Sequence, residues 1–223
     1  MLPRHALTLL LLALTACGGG RPPPEPPPSL DDEDGQSFEF AGIELPPLPL
    51  DVEEDDLADG WSPVERALTE PAPRPPVGED WEVDAWADDV LADWISRRAT
   101  LLAEAQRALA MLREGDPEIS VVASTLLGLT YSRFALDLRG IATPAAFRDD
   151  EAREDAFRSA LDRMARPLFR RAVDAYGSCS ATAMDGPAYA LARWREHCDR
   201  ELRMLAPMVG SDDDPDAEEE AEE

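Results

Sequence analysis

From Asp80 onward, apolar residues return at three- and four-residue steps, the period of a helix with one face turned inward. Val83, Trp86, Val90, Trp94, Leu101, Ala105, Leu109 and Leu112 trace one such stripe, which ends near Gly115. Asp116 then offers an N-cap, Pro117 suits the first helical position and Glu118 complements the positive end of the helix dipole. A second helix is therefore predicted to run to about Arg139, with Val122, Leu126, Leu129, Phe134 and Leu138 among its apolar positions and Gly140 closing it. A third stretch begins between Phe147 and Asp150. Its apolar positions Phe157, Leu161, Met164, Leu168, Ala172, Tyr176, Cys179 and Ala183 keep one phase straight through Pro167. That continuity predicts a single helix kinked at the proline, because a true break resets the phase. Asp185-Gly186-Pro187 marks a turn, and Leu191, Trp194, Cys198, Leu202 and Leu205 form the inward face of a last helix. No strand-like alternation appears between residues 81 and 208. Residues 80–208 are enough for one core, so the expected fold is all-α, a single domain of about four helices arranged as a bundle or as helical hairpins.

Residues 17–79 lack this period. Gly18-Gly19-Gly20, the prolines from Pro22 to Pro28, an acidic run from Asp31, the segment Leu45-Pro46-Pro47-Leu48-Pro49-Leu50 and a second acidic run from Asp51 to Asp59 predict a long disordered tether. Phe38, Phe40, Ile43 and the leucines interrupt it and offer points where it docks onto the domain or a partner. Trp61 to Leu68 is the length of one short helix, and Pro71 to Pro76 break the chain again. Residues 209–223 are expected to form a disordered acidic tail.

The first 16 residues carry the parts of a secretory signal: Arg4 as the positive region, then Ala6 to Leu14 as an apolar run too short to span a bilayer. The segment Leu14-Thr15-Ala16-Cys17 resembles the lipobox of bacterial lipoproteins at all four positions. The resemblance implies cleavage before Cys17, diacylglycerol on its thiol and anchoring in a membrane by several acyl chains. In that family the residue after the cysteine influences sorting, and Gly18, not being aspartate, implies the outer membrane. No other apolar run approaches the length of a transmembrane helix.

Charge changes the picture of partners. The net charge is −26, and every one of the 21 basic residues is arginine. Residues 31–60 hold 12 acidic groups and no arginine, and Asp212 to Glu223 hold nine more, whereas Trp81 to Gly210 is nearly balanced with 21 acids against 17 arginines. The ends make the chain acidic. That sign disfavours nucleic acid and anionic lipid surfaces as partners and leaves basic proteins or loosely held cations compatible. Without lysine there is no Walker phosphate loop and no Schiff-base chemistry.

With Cys17 lipidated, Cys179 and Cys198 remain, on the inward stripes of consecutive helices in a compartment that permits disulfides. A disulfide is the first expectation and two buried free thiols the alternative. His197 is the only histidine after the signal segment, but Cys198 takes the inward position beside it, which argues against a Cys179–His197 nucleophile. Asp84, Asp88 and Asp89 cluster at a helix start, where the dipole alone favours carboxylates, so a solvated face is expected there instead of a metal site. A di-iron bundle needs Glu-x-x-His, and the chain offers only adjacent Glu196-His197. No catalytic residue, metal or cofactor is expected. Trp86 and Trp94 fall on the stripe and are expected in the core, and Trp81, at the helix start, is the candidate partner contact.

Leu127-Gly128-Leu129-Thr130-Tyr131 resembles the Leu-Gly-x-x-Tyr element of a tetratricopeptide repeat, although no 34-residue self-similarity recurs. More loosely, Tyr131-x-x-Phe134, Arg166-Pro167-Leu168, Ala175-Tyr176 and Trp194-x-x-x-Cys198 resemble helical modules at the ends of repeat-containing envelope proteins. That resemblance implies protein–protein interaction and assembly without catalysis. The expected function is thus a non-enzymatic, lipid-anchored protein presenting a helical domain to another envelope protein. The alternative is a solute- or cation-binding lipoprotein.

Overall fold

The computed structural model describes residues 37–49, 52–186 and 191–209; the residues expected to form a signal and an acidic tail, and Cys17, lie outside the described residues. Those described belong to one compact unit that begins at Gln36. Its architecture is all-α apart from one small hairpin. It comprises strands β1 (Phe38–Phe40) and β2 (Ile43–Leu45), short 3₁₀ turns at Glu54–Leu57 and Ala145–Phe147, and six helical segments. These are α1 (Ala58–Thr69), α2 (Asp80–Ala85), α3 (Ala92–Arg113), α4 (Pro117–Gly140), α5 (Glu151–Asp185) and α6 (Ala192–Val209).

The segment assigned to the tether is folded from β1 onward, which corrects the expected domain start at residue 80. Ala41 and Gly42 both take positive φ, 49° and 77°, the backbone of a two-residue hairpin turn. Strand alternation then turns Phe40 and Leu45 inward and sets Glu39 opposite Glu44 on the outer face. Phe38, Phe40 and Trp61 form an aromatic cluster, with ring centroids of Trp61 5.0 and 4.4 Å from the two phenylalanines. Leu57 of the preceding 3₁₀ turn and Val64 and Leu68 of α1 enter the same core. At Gly60 the helix crosses α3 so closely that a Cβ would fall 2.8 Å from a methyl of Leu109.

Residues 80–113 run on without interruption, but a π-helical turn over Trp86–Leu91 separates α2 from α3. The π turn inserts one extra residue into the helical repeat, so the inward stripe steps from Trp86 to Leu91. Val90, expected inward, is 48 % exposed for this reason. The stripe then continues through Trp94, Arg98, Leu102, Ala105 and Leu109, correcting Leu101 to its neighbour.

α4 is buried nearly all round and sits between α3, α5, α1 and α6. It is the described helix long and apolar enough to cross a membrane, contrary to the expectation that no such run exists. However, 78 % of its apolar window is covered inside the fold, as for a core helix. Asp116 occupies its N-cap with no side-chain hydrogen bond, and Pro117 is the first helical residue. At the other end Arg158 donates to the carbonyls of Arg139 and Ile141 at 3.4 and 3.0 Å, satisfying acceptors the helix leaves open. α5 packs most extensively on α4, where Gly128 admits the Tyr176 ring: a Cβ at Gly128 would lie 2.9 Å from it.

α5 is one helix through Pro167, capped by Asp150, whose carboxylate accepts from the amide of Arg153 at 3.2 Å. Its inward positions are Leu161, Ala165, Phe169, Ala172, Tyr176, Cys179 and Ala183. Ala165 and Phe169 take the inward positions expected for Met164 and Leu168, a shift of the stripe by one residue on either side of Pro167.

Candidate binding sites

Cys179 and Cys198 are bonded as a disulfide, with Cα atoms 6.3 Å apart, inside the range such a bridge requires. It ties α5 to α6 on the side facing α4. Thr125 of α4 lies beneath it, its hydroxyl oxygen 3.3 and 3.2 Å from the two sulfurs. With both sulfurs joined, neither is a thiolate nucleophile.

The β-hairpin lies over the opposite flank of α6. Trp194, fully buried, donates its indole N–H to the carbonyl of Pro47 at 2.8 Å, and this bond pins the segment after β2 to the helix. The consequence for His197 was not legible in the sequence. Helical spacing turns it away from Cys198, toward solvent, yet the hairpin covers that direction and leaves it 6 % exposed. A cleft of about 380 Å³ remains between the hairpin and α6, lined by Glu44, Leu45, Pro46, Arg193, Glu196, His197 and Arg200.

Arg200 Nη2 lies 2.7 Å from His197 Nδ1. A guanidinium only donates, so Nδ1 is the acceptor and the neutral ring carries its proton on Nε2. Burial, reinforced by the Arg200 charge, holds the imidazole down to about 4. The folded value lies below the ordinary 6.5, so the unfolded chain takes up the proton first as pH falls. Stability from this residue is therefore present above pH 6.5, declines as pH drops toward 4 and amounts to about 3 kcal/mol in total. Asp137 and Glu201, both raised by burial, change in the opposite sense. Comparison of the native chain with His197→Gln isolates the histidine: the glutamine protein is expected to lose the extra drop in urea midpoint between pH 6.5 and 4, and parallel pH profiles would refute the assignment.

Between α1 and α3 the sequence hides a buried cation. Arg98, 1 % exposed, donates to the carbonyl of Ala67, reaches that of Glu70 at 3.4 Å and pairs with Asp137 of α4 at 2.8 Å. Its guanidinium also lies 5.2 Å from the Phe134 ring and 5.8 Å from the Trp94 ring. Desolvation lowers the Arg98 pKa and raises that of Asp137, each opposed by the charge of the other. The arrangement terminates α1 and locks it to the core. It offers no open coordination or reactive atom. A groove of about 530 Å³ outside it is walled by Arg66, Thr69, Glu70 and Arg97. Ion pairs cross it, Arg66 to Glu104 at 3.0 Å and Arg97 to Glu70 at 3.3 Å.

A further groove lies at another end of the fold. The proline-rich segment between α1 and α2 and the connection between α4 and α5 enclose about 460 Å³, lined by Ala72, Pro73, Pro75, Pro76, Ile141 and Ala142, with Arg74 and Arg148 also at the wall. Val77 on its lining is 88 % exposed, and Trp81 at the start of α2 is 66 % exposed. Asp80 binds Arg153 at 2.9 Å, and Arg153 lies 4.3 Å from the Phe147 ring, which fixes the start of α2 beside the connection that walls the groove. Val77 is thus exposed on the groove itself, and Trp81 is exposed at the start of the helix that follows it. Trp86 and Trp94 are in the core, as expected from their stripe positions.

Asp84, Asp88 and Asp89 are all exposed, and among the described residues no group of three or more His, Cys, Asp or Glu is placed to hold a metal ion. Cys17 lies outside the described residues. No protein-family model, no curated protein and no solved structure matches the chain.

Proposed function

We propose that this chain is a non-enzymatic lipoprotein, anchored through lipid on Cys17 to the outer membrane, whose helical domain binds another envelope protein at the groove beside Trp81. The observation that carries the reading is the exposure of Val77 on a groove lined by prolines, Ile141 and alanines, with Trp81 exposed four residues further along the chain. Exposed apolar side chains gathered at a concave site favour association, and tryptophan supplies large contact area at little entropic cost. The lipobox resemblance of Leu14-Thr15-Ala16-Cys17 supports the anchor. The arginines at the groove wall, Arg74 and Arg148, favour a partner segment that combines apolar anchors with carboxylates.

Two variants test the parts separately. Crosslinked capture from native envelopes is expected to recover a specific partner with the native chain, and Trp81→Ala is expected to weaken that interaction about thirtyfold without changing the melting temperature. Equal capture by Trp81→Ala and the native chain would remove the groove from the account. Cys17→Ser is expected to move the protein from membrane to soluble fractions, and its retention in membranes would remove the anchor.

A further inference from the structure

In this acidic chain most arginines are engaged, and two that are not share one groove. Arg66, Arg97, Arg98, Arg133, Arg139 and Arg153 each meet an acidic side chain. Arg74 and Arg148 are exposed on the lining of the groove between segments 72–77 and 140–148, and neither makes a hydrogen bond, ion pair or ring contact among the described residues. The lining itself contains no Asp or Glu. Three acids close by in sequence are committed elsewhere: Asp80 to Arg153, Asp150 to the cap of α5 and Glu154 to the Thr143 hydroxyl at 3.1 Å.

Main-chain pairing has little to hold here. Pro73, Pro75 and Pro76 carry no N–H, so one wall cannot present the run of donors that strand addition needs. On the other wall the Ile141 amide already bonds the carbonyl of Leu138, and the Ile141 carbonyl accepts from Arg158. A docking segment is therefore read by its side chains, with apolar groups against Val77 and the prolines and an oxyanion against the guanidiniums, whose planar forks match a carboxylate. A dense polyanion such as a phospholipid surface is repelled by the net charge of −26. An isolated carboxylate meets chiefly the local field, because exposed charges beyond about 10 Å are screened.

We propose that Arg74 and Arg148 are the carboxylate-reading part of this groove, and that the partner's docking segment seats an Asp or Glu side chain against them. The inference rests on the groove reading given above and adds the chemistry by which the partner is selected. Both arginines are exposed, so the attraction is modest and weakened by salt. Arg74→Gln with Arg148→Gln is expected to weaken binding of the captured partner about tenfold.

The absence of lysine makes a direct test possible. In the full chain, in isolated envelopes, Arg74→Lys or Arg148→Lys keeps the charge and adds the one side-chain amine, and a carbodiimide joins that amine to a carboxylate it touches. Peptide mapping by mass spectrometry is expected to find the lysine coupled to an Asp or Glu of one other protein. The yield is expected to be about tenfold above that from Arg163→Lys, an exposed arginine of α5 likewise without a partner among the described residues, with the excess lost in about 0.5 M salt. Equal yields from the Arg163→Lys control, coupling confined to Asp149 or Glu154 of the same chain, or coupling only between copies of this chain would each overturn the proposal. If Trp81→Ala still weakens capture while neither lysine finds a partner carboxylate, the groove remains the docking site and the carboxylate reading alone falls. If Trp81→Ala captures as well as the native chain, the groove reading falls and this inference with it.

Discussion

Replacing Arg98 by methionine is expected to lower stability by about 3 kcal/mol, the loss that follows when one partner of a buried ion pair is removed. For a folded unit of this size that corresponds to a fall of about 10 °C in the midpoint of thermal unfolding followed by circular dichroism. The expectation rests on how many groups the guanidinium satisfies at once. It donates to the carbonyls of Ala67 and Glu70 at the end of α1 and to Asp137 of α4. Methionine fills much of the volume but leaves those acceptors buried without donors. Asp137 retains Arg133 at 3.2 Å, which keeps the loss at the lower end of what an isolated buried carboxylate would suffer. The double variant Arg98→Met with Asp137→Leu is expected to recover only part of the stability, because it removes the stranded carboxylate and leaves the carbonyls of α1. Full recovery in the double variant would show that the ion pair alone matters and that α1 is not held by its carbonyls.

Removing the disulfide is expected to have a similar effect. The bridge closes a sequence separation of 19 residues, for which the loss of unfolded-state entropy corresponds to about 3 kcal/mol. Cys179→Ser with Cys198→Ser is expected to lower the urea midpoint at constant slope, and reductant is expected to do the same to the native chain but nothing to the double variant. Both serine hydroxyls would enter a site with no exposure, beside the Thr125 hydroxyl, which already donates to the carbonyl of Val121 at 2.9 Å. The loss is therefore not expected to fall below the entropic figure. A midpoint that reductant leaves unmoved would contradict the bridge as a stabilising element.

The helical period placed Trp86 and Trp94 in the core and left Trp81 outside, and it carried α5 unbroken through Pro167. It failed where geometry departs locally from the regular repeat. The π turn at Trp86–Leu91 advances the stripe by one residue, and a count at 3.6 per turn then selects Val90 and Leu101 over Leu91 and Leu102. It also passed over Arg98, which lies on the inward stripe but is not apolar. The hairpin was hidden for another reason. Two three-residue strands give too short an alternation to stand out among prolines and acids, and their stability comes from Trp61 and Trp194, far along the chain.

What the chain determined locally is the set of groups whose fate depends on neighbours within a turn or two: the helical segments, the caps at Asp116 and Asp150, the outward Trp81, and a cysteine pairing with only two members after Cys17. What tertiary structure alone decided is which outward faces are then covered. His197 points away from its own helix's core and is buried all the same, because a hairpin about 150 residues earlier is pinned over it by the Trp194–Pro47 bond. Arg98 becomes a clamp because the end of α1 and Asp137 converge on it from two other helices. Periodicity reports how a residue is directed from its own backbone; burial and charge are set by whatever distant segment arrives there, and that information resides in the packing.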